Sequence, residues 1–495
     1  MSASDSTQYS PSRPRPDWYS SKGSYTKPHI HLDDFTRPFP ASNSNSYLAS
    51  AWCEGELREN VTTAPGPEAP LRKPTNSVRN FDRSTVIQDA RNTCIVVHAR
   101  FPELVDKFLQ HKRQHGSPVE KEFYGQHGWS WSRQVARLIE KRPLVFMNSS
   151  DFTVLRDYST LPDTSEWDFV GKTDGSGDSA KERNRYLFLK DYLSYDEIML
   201  GSLLGASGPS YFVNNGSRTN LGNPGKPGSF EERGIIVGLV GARFERPDRM
   251  DSIFCLPRSI SSTLDVHSSK RGSGSRPQKS PEMDPGLVDV FTDWFCSVSG
   301  DQVRVDPLEK KFHAGMYKAR MRVTIDVLLL EASERARAAG KKAYTHVVGL
   351  GLGVWALYGV GQEQYYIETF ADALHELGND SMRHIGTIDF SYIKAEPKSS
   401  VEKVTAAAAK HGINVRFSRR NPADKLSQEE AGQLLVVSYA WDGNAFPGNE
   451  YWVQMPSASG DPAAACMSTI SELHNPLTNP GFLRRIKVLG GQAPK

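Results

Sequence analysis

The chain has 495 residues, of which 38% are hydrophobic, and it carries 60 Lys and Arg against 57 Asp and Glu. This length allows two to four domains or one large α/β domain with insertions, and the low hydrophobic content predicts that part of the chain stays outside a packed core. The near balance of charge gives no electrostatic case for a nucleic-acid or membrane partner, because either would favour a strongly basic surface.

Cysteine usage and apolar runs bear on the compartment. Five cysteines lie far apart, with no CxxC pair and no Cys/His pairing at zinc spacing, which suits a reducing interior. Residues 1–17 are polar and rich in Pro and Ser, unlike the apolar part of a signal peptide. No apolar run approaches the roughly 18 residues that cross a bilayer. We therefore expect a soluble cytoplasmic protein, with the nucleus as the alternative location.

Composition divides the chain into an extension, a body and a tail. Residues 1–80 are rich in Ser, Pro, Asn and Arg without periodicity, and we expect them to be disordered or draped over the body as irregular segments. Residues 81–480 are expected to form the α/β catalytic domain, and 481–495 a C-terminal tail. Within the body, residues 262–285 are Ser-, Gly-, Lys- and Pro-rich and predict a flexible insertion. Residues 205–228, dense in Gly, Asn, Ser and Pro, predict a long loop.

Apolar runs and helical periodicity predict alternating strands and helices in the body. Strands are expected at 94–99, 143–147, 234–244, 343–350, 385–393, 413–417 and 434–441. Helices are expected at 102–114, in the second half of 186–204, and at 313–339, 362–377, 400–411 and 461–473. Alternation at this spacing predicts a parallel or mixed sheet that is covered by helices on both faces.

The densest group of acids and amides follows the predicted strand 434–441. It comprises Asp442, Asn444, Asn449, Glu450 and Asp461, separated by glycines and flanked by aromatic side chains. Glycines let a backbone approach a ligand closely, and α/β sheets bind ligands where strands run into loops. An ordinary turn is the alternative, because Asp, Asn, Gly and Pro dominate turns as well. The nearby tyrosines and tryptophans favour a binding site, since large aromatic side chains are unusual in a plain loop.

A second candidate site is the glycine-rich segment 349–355, GLGLGVW, which comes directly after YTHVV in the predicted strand region 343–350. Glycines after a strand allow backbone N–H groups to face a phosphate. The segment does not fit G-x-G-x-x-G, and no Walker A lysine follows it, so a dinucleotide fold of that type and a P-loop NTPase are disfavoured. A diphosphate-binding loop backed by an aromatic residue is the favoured interpretation, with tight packing alone as the alternative.

Single residues elsewhere give weaker signals. Asp389 could accept a hydrogen bond from an adenine amino group at a strand end, or it could be a capping or ion-paired aspartate. His98 and His346 lie in apolar strands and are interpreted as buried core histidines. Ser207 is not a nucleophile elbow, because no apolar strand precedes its GASGPS segment.

The two loops together resemble those of the MavL-type atypical macrodomains. The resemblance spans residues 90–480 in layout, and its specific motifs lie within 345–475. It implies a three-layer α/β/α macrodomain-like sandwich that binds ADP-ribose and hydrolyses its bond to arginine, without a cofactor. It also implies a diphosphate-binding role for Gly351, Gly353, Val354 and Trp355. The acids and amides at 442–461 would then lie beside the distal ribose.

Carboxylate chemistry agrees with that assignment. Cleavage of an N-glycosidic bond passes through an oxocarbenium-like state, which a carboxylate stabilises while another activates water. We expect Asp442, Glu450 and Asp461 to be the working acids of the reaction. Asp442 is expected to contact the ribose or the water and Glu450 to act as acid or base, whereas Asp461, at a predicted helix N-terminus, is expected to act mainly as a cap. No metal is required, although grouped acids can also bind Mg²⁺ or Ca²⁺. A non-catalytic ADP-ribose reader and a hydrolase of another nucleotide or sugar are the alternatives.

Overall fold

The computed structural model describes residues 74–490, except 149–150, 177–180, 247, 258–282, 300–311, 358, 454 and 456–459. Ten strands occur in the described part: β1 (Cys94–His98), β2 (Val145–Phe146), β3 (Thr153–Val154), β4 (Gly205–Tyr211), β5 (Arg233–Leu239), β6 (Ala343–Val347), β7 (Ile385–Ser391), β8 (Asn414–Ser418), β9 (Leu434–Ala440) and β10 (Ile486–Leu489). Eight of them form one sheet in the order β10-β1-β4-β5-β9-β6-β7-β8, and β2 and β3 form a separate hairpin.

The sheet is mixed, as predicted. Strand β4 is antiparallel to both of its neighbours, and the pairs β5–β9, β9–β6, β6–β7 and β7–β8 are parallel. Five neighbouring strands therefore end at the same edge of the sheet, which we call the carboxyl edge. In α/β sheets ligands bind outside the carboxyl ends of the strands.

Helices cover both faces and make the fold a three-layer α/β/α sandwich. The described helices are α1 (Arg83–Asn92), α2 (Phe101–His115), α3 (Pro118–Tyr124), α4 (Trp131–Glu140), α5 (Tyr195–Gly201), α6 (Ser252–Cys255), α7 (Pro285–Val298), α8 (Ala314–Ala338), α9 (Gln362–Met382), α10 (Lys398–Ala409), α11 (Gly460–Met467) and α12 (Ile470–Leu473). Two serines of β4 show which helices cover which face of the sheet, because the side chains of residues three apart on a strand point to opposite faces. Ser207 donates to Glu331 of α8 at 2.6 Å, and the hydroxyls of Ser210 and Thr469, between α11 and α12, lie 2.9 Å apart.

The predicted loop at 205–228 is wrong over its first seven residues, which form β4. Its composition suggested a loop, but packing requires the small residues. A Cβ at Gly205 would lie 2.7 Å from the carbonyl oxygen of Gly238, and one at Gly208 would lie 2.5 Å from the Thr93 hydroxyl. Tertiary contacts therefore override the low strand propensity of glycine.

Residues on the far side of both predicted boundaries of the body take part in its packing. Residues 486–489, expected in a tail, form β10 and pair with β1. Residues 74–80 form two short 3₁₀ turns, in which Val78 is buried against Leu473. Residues 1–73 and nearly all of the expected insertion at 262–285 lie outside the described part, and α7 begins at Pro285. No helix in the described ranges is apolar over a length that would cross a bilayer.

Candidate active site

A cavity of about 590 Å³ opens at the carboxyl edge of the sheet. Its wall is formed by the segments that follow β5, β6, β7, β8 and β9, together with Met147 and Asn148 of the β2–β3 hairpin and the start of α11. Both candidate loops from the sequence lie in this wall. The parallel arrangement of these strands explains why segments far apart in the chain meet there.

The glycine-rich segment 349–355 follows β6 and lies directly against the chain that leaves β5. Gly351 has φ +73°, a conformation that favours glycine, and a Cβ there would lie 2.6 Å from the carbonyl oxygen of Ala242. Gly353 differs, because a Cβ at that position would meet nothing within 4 Å. Gly353 and Val354 line the cavity, and Val354 is 62% exposed. The segment is thus fixed at Gly351 and open at Gly353.

Trp355 ends this segment and anchors it. Its side chain is buried, and the guanidinium carbon of Arg243 lies 4.8 Å from its ring centroid. Its carbonyl oxygen accepts a hydrogen bond from the Phe244 N–H at 3.0 Å. Arg243 is itself ion-paired with Asp151 and with Glu245. The anchor therefore depends on a cation that no local sequence pattern identified.

Asp442 follows β9 and lines the cavity at the end of that strand. Loss of water around it raises its pKa well above the ordinary value, and the negative charge of Glu450 raises it further. Arg243 and a hydrogen bond from Asn449 act in the opposite direction. Glu450, also in the cavity wall, is only partly buried. The carboxyl group of Asp442 therefore holds a proton more strongly than an exposed aspartate does.

Asn449 positions Asp442. Its Nδ2 donates to Asp442 Oδ2 and to the Phe146 carbonyl oxygen at 3.3 Å, and its Oδ1 accepts the Phe146 N–H at 2.9 Å. Both amide hydrogens are used, so Asn449 connects the acid to the β2–β3 hairpin and has no N–H left to donate to a ribose. The sequence placed Asn449 beside the sugar, and it does line the cavity, but its contacts are those of a support.

Asp461 is the second residue of α11 and is 1% exposed in the cavity wall. Its Oδ1 accepts the N–H of Gly448 at 3.1 Å, across the loop. The sequence predicted a cap of the helix that begins here, but this hydrogen bond goes to the preceding loop instead. Its Oδ2 is buried without a hydrogen-bond partner in the described part. Burial raises the pKa of Asp461 well above its ordinary value, and the charges of Asp442 and Glu450 raise it further.

The three acids thus share one end of the cavity and oppose one another's ionisation. Such groups divide their protons unequally, so that one carboxyl stays protonated while a neighbour is ionised. A protonated carboxyl can donate to a leaving nitrogen, and an ionised one can activate water or stabilise a cation. In the described ranges, no three His, Cys, Asp or Glu side chains are placed to hold a metal ion.

A buried arginine lies beneath the acids and had no sequence signal. Arg142 donates to the carbonyl oxygens of Leu138 at 2.8 Å and Gly201 at 3.2 Å, and its guanidinium carbon lies 4.1 Å from the Trp441 ring centroid. Burial lowers its pKa to about 9. Its positive charge favours the ionised form of Asp461. Arg142 comes just after α4 and lies 300 residues before Asp442 in the chain. Only the fold brings the two residues together.

Two predicted residues lie away from the cavity wall. Asp389 is fully buried inside β7, where its Oδ2 accepts the Tyr344 hydroxyl at 2.8 Å and the Ser418 hydroxyl at 2.9 Å. Asn444 is fully buried, and neither atom of its amide has a hydrogen-bond partner in the described part. Neither residue is among those that line the cavity.

The sequence missed the part of the wall that follows β7 and β8. Ser391, Tyr392, Ile393 and Arg420 line it there, together with His346 of β6. His346 is buried, as expected, but it also faces the cavity. No motif marks these residues, and only the parallel pairing of β6, β7 and β8 brings them together.

Comparison with known proteins gives concordant matches. A family model described as ADP-ribosylhydrolase MavL-like matches residues 68–488. The chain is 34% identical over 437 residues to ADP-ribosylarginine hydrolase CG2909 of Drosophila melanogaster, covering 84% of this chain and 83% of that protein. It is 36% identical over 406 residues to ADP-ribosylarginine hydrolase CG3568 of the same organism, covering 78% of this chain and 76% of that protein.

Proposed function

Because the chain belongs to the MavL-like ADP-ribosylhydrolase family, we propose that it cleaves the N-glycosidic bond between ADP-ribose and a modified arginine of a protein. The observation that supports this most directly is the grouping of Asp442, Glu450 and Asp461 at one end of a cavity whose neighbouring wall is a glycine-rich loop. The arginine linkage is taken from the names of the two relatives. A cytoplasmic location belongs to the same proposal and rests on cysteine usage.

In this proposal the distal ribose lies against the acids and the diphosphate lies over Gly353. As the bond from the ribose C1 carbon to the guanidine nitrogen breaks, positive charge develops on the ribose. The carboxyl group of Asp442, held by Asn449, is placed to stabilise that charge once it is ionised. Water then adds its hydroxyl to C1, and its second proton replaces the one delivered to the guanidine, so that free ADP-ribose and unmodified arginine result.

Proton transfer is assigned to Glu450. Asp461 is the neighbouring carboxyl group that holds a proton. Glu450 is more exposed than Asp461 and can exchange protons with solvent, whereas Asp461 is buried and has a strongly raised pKa. A general acid or base works best when its pKa lies near the working pH, which buried neighbouring carboxylates can achieve. No step in this scheme passes through a metal ion.

The test measures release of ADP-ribose from an arginine-modified protein in excess chelator. We expect turnover by the wild-type chain and a loss of at least about 100-fold in the Asp442→Asn, Glu450→Gln double variant. Glu402→Gln is the matched control, because Glu402 is an exposed acid on α10 that is ion-paired with Lys398 at the surface. Full activity of the double variant, or abolition by chelator alone, would refute the mechanism.

Two further outcomes separate the alternatives. Turnover only of serine- or glutamate-linked substrates would keep the enzyme class and change the linkage. Micromolar binding of ADP-ribose with no turnover of any linkage would identify a reader, in which the acids hold the sugar without cleaving its bond.

A further inference from the structure

The order of the strands fixes which segments lie at each end of the cavity, and therefore which part of the substrate each end would hold. Strands β9, β6, β7 and β8 are consecutive neighbours, and the segments following each of them line the same cavity. Neighbouring strands are about 4.8 Å apart, so the ends of β9 and β8 are roughly 14 Å apart. The acids follow β9 and the glycine-rich segment follows β6. If the proposed function holds, only the adenosine half of the substrate is left to occupy the ends of β7 and β8.

His346 presents an unfilled hydrogen-bond acceptor at that end. Its Nε2 lies 3.3 Å from the carbonyl oxygen of Arg420, and a carbonyl oxygen only accepts, so Nε2 carries the hydrogen. Nδ1 is then a lone-pair acceptor, and it is buried without a partner in the described part. Burial lowers the pKa of His346 to about 4, which keeps the ring neutral. The side chain is 1% exposed and lines the cavity.

Arg420 presents an unfilled donor beside it. Its guanidinium carbon lies 4.7 Å from the ring centroid of Tyr344, a residue of β6 on the same face as His346. One of its nitrogens, Nη1, is buried without a hydrogen-bond partner in the residues described. An acceptor beside a donor complements the edge of adenine, whose amino group donates and whose neighbouring ring nitrogen accepts. A purine with oxygen at position 6 offers two acceptors along the corresponding edge.

Tyr392 supplies a flat apolar surface next to this pair. It follows β7, lines the cavity and is 65% exposed, which is unusual for a large aromatic side chain. Its φ is +57°, a left-handed conformation that is costly for a residue other than glycine, and its N–H donates to the Ser418 carbonyl oxygen at 2.9 Å. Strained residues of this kind concentrate at ligand-binding sites, and bases stack readily on aromatic rings.

We propose that the enzyme reads the base of its substrate: adenine stacks on Tyr392, and His346 with Arg420 selects a purine that carries an amino group at position 6. This inference rests on the proposed function. His346, Arg420 and Tyr392 are specificity-determining residues at the end of the cavity opposite the acids.

The test compares binding of ADP-ribose with binding of its deaminated analogue, inosine diphosphate ribose, by calorimetry on the full chain. We expect the wild-type protein to bind ADP-ribose at least about tenfold more tightly. His346→Leu should bring the two affinities together, mainly by weakening ADP-ribose, whereas His346→Gln should restore the preference because its amide offers both a donor and an acceptor.

Tyr392→Gly tests the stacking surface without depending on the buried histidine. Glycine accepts the left-handed backbone, so the melting temperature should stay equal or rise while both ligands bind about tenfold more weakly. Tyr186→Ala is the control, because Tyr186 is an exposed aromatic residue outside the cavity wall. Equal affinity of the wild-type protein for both ligands, or an unchanged preference in a folded His346→Leu variant, would overturn the inference while leaving arginine-linked hydrolysis intact. Failure of both ligands to bind would overturn the proposed function itself.

Discussion

The backbones of Gly241 and Gly351 are in direct contact, so that a Cβ on Gly241 would collide with the amide nitrogen of Gly351. This contact holds the glycine-rich segment against the end of β5. Both residues line the cavity, and neither position leaves room for a side chain unless the backbone moves.

Gly241→Ala should therefore displace the segment and destabilise the fold. We expect the free energy of unfolding to fall by about 1–3 kcal/mol, the usual cost of forcing a methyl group into packed surroundings. Chemical denaturation measures the change, and ADP-ribose affinity should fall with it. Gly432→Ala is the matched control, because its Cβ would meet nothing within 4 Å and it precedes β9, at the opposite end of that strand from the site. Equal stability of the two variants would contradict the packing argument.

Gly353→Val should show the opposite pattern, with loss of binding and little loss of stability. The Cβ at Gly353 meets open space, so a branched side chain fits the folded protein but occupies the cavity where the diphosphate is expected. ADP-ribose affinity should fall at least tenfold, or about 1.4 kcal/mol, measured by calorimetry. Gly432→Val serves as the control. Unchanged affinity in a folded Gly353→Val variant would remove this segment from the binding site.

Asp461→Asn should stabilise the protein as the pH rises. The raised pKa of Asp461 means that the folded state keeps a proton that the unfolded state releases above about pH 3.9. The protonated carboxyl group of Asp461 contributes its full stabilisation below about pH 3.9. This stabilisation is lost as the pH rises from there through the higher pKa of Asp461 in the folded state.

Asparagine has no proton to lose, and its oxygen can still accept the Gly448 N–H. Melting temperatures measured from pH 4 to pH 8 should therefore diverge in favour of Asp461→Asn as the pH increases, while hydrolysis is lost. A difference in melting temperature that stays constant across this range would show that Asp461 does not titrate differently in the two states.

The N-terminal boundary of the active body should lie at Pro74. Asn76 Nδ2 donates to the Ala465 carbonyl oxygen of α11 at 2.6 Å, and the Val78 N–H donates to Glu472 at 2.6 Å. Deletion of residues 1–73 should leave hydrolysis near the wild-type rate, because their composition cannot build a core. Deletion of residues 1–80 should lower activity and stability together, since the Asn76 bond holds α11, which carries Asp461, and the Val78 bond holds the adjoining α12. Equal activity of both deletions would show that residues 74–80 are dispensable.

The sequence predicted the elements of the fold better than the arrangement of the site. Long apolar or periodic segments marked the strands around the cavity and α8, because burial leaves its pattern in consecutive residues. The glycines and serines of β4 gave the opposite signal, since their small size serves contacts with other segments. Arg142, Arg243 and His346 were invisible as site residues for the same reason: what makes them important is a neighbour from a distant part of the chain. Asp442 and Asp461 could be proposed from the sequence because their loop is itself unusual in composition, and both line the cavity.

The pairing of β10 with β1 has a consequence for how the molecule is made. Strand β1 is among the first parts of the sheet to leave the ribosome, and its parallel partner is among the last. Until β10 has been synthesised, the edge of β1 presents unpaired backbone groups that can pair with another chain. Contacts between distant parts of a chain also form slowly, which prolongs that exposure. Chains that terminate before Ile486 should therefore aggregate during synthesis, even though every residue of the cavity wall is present.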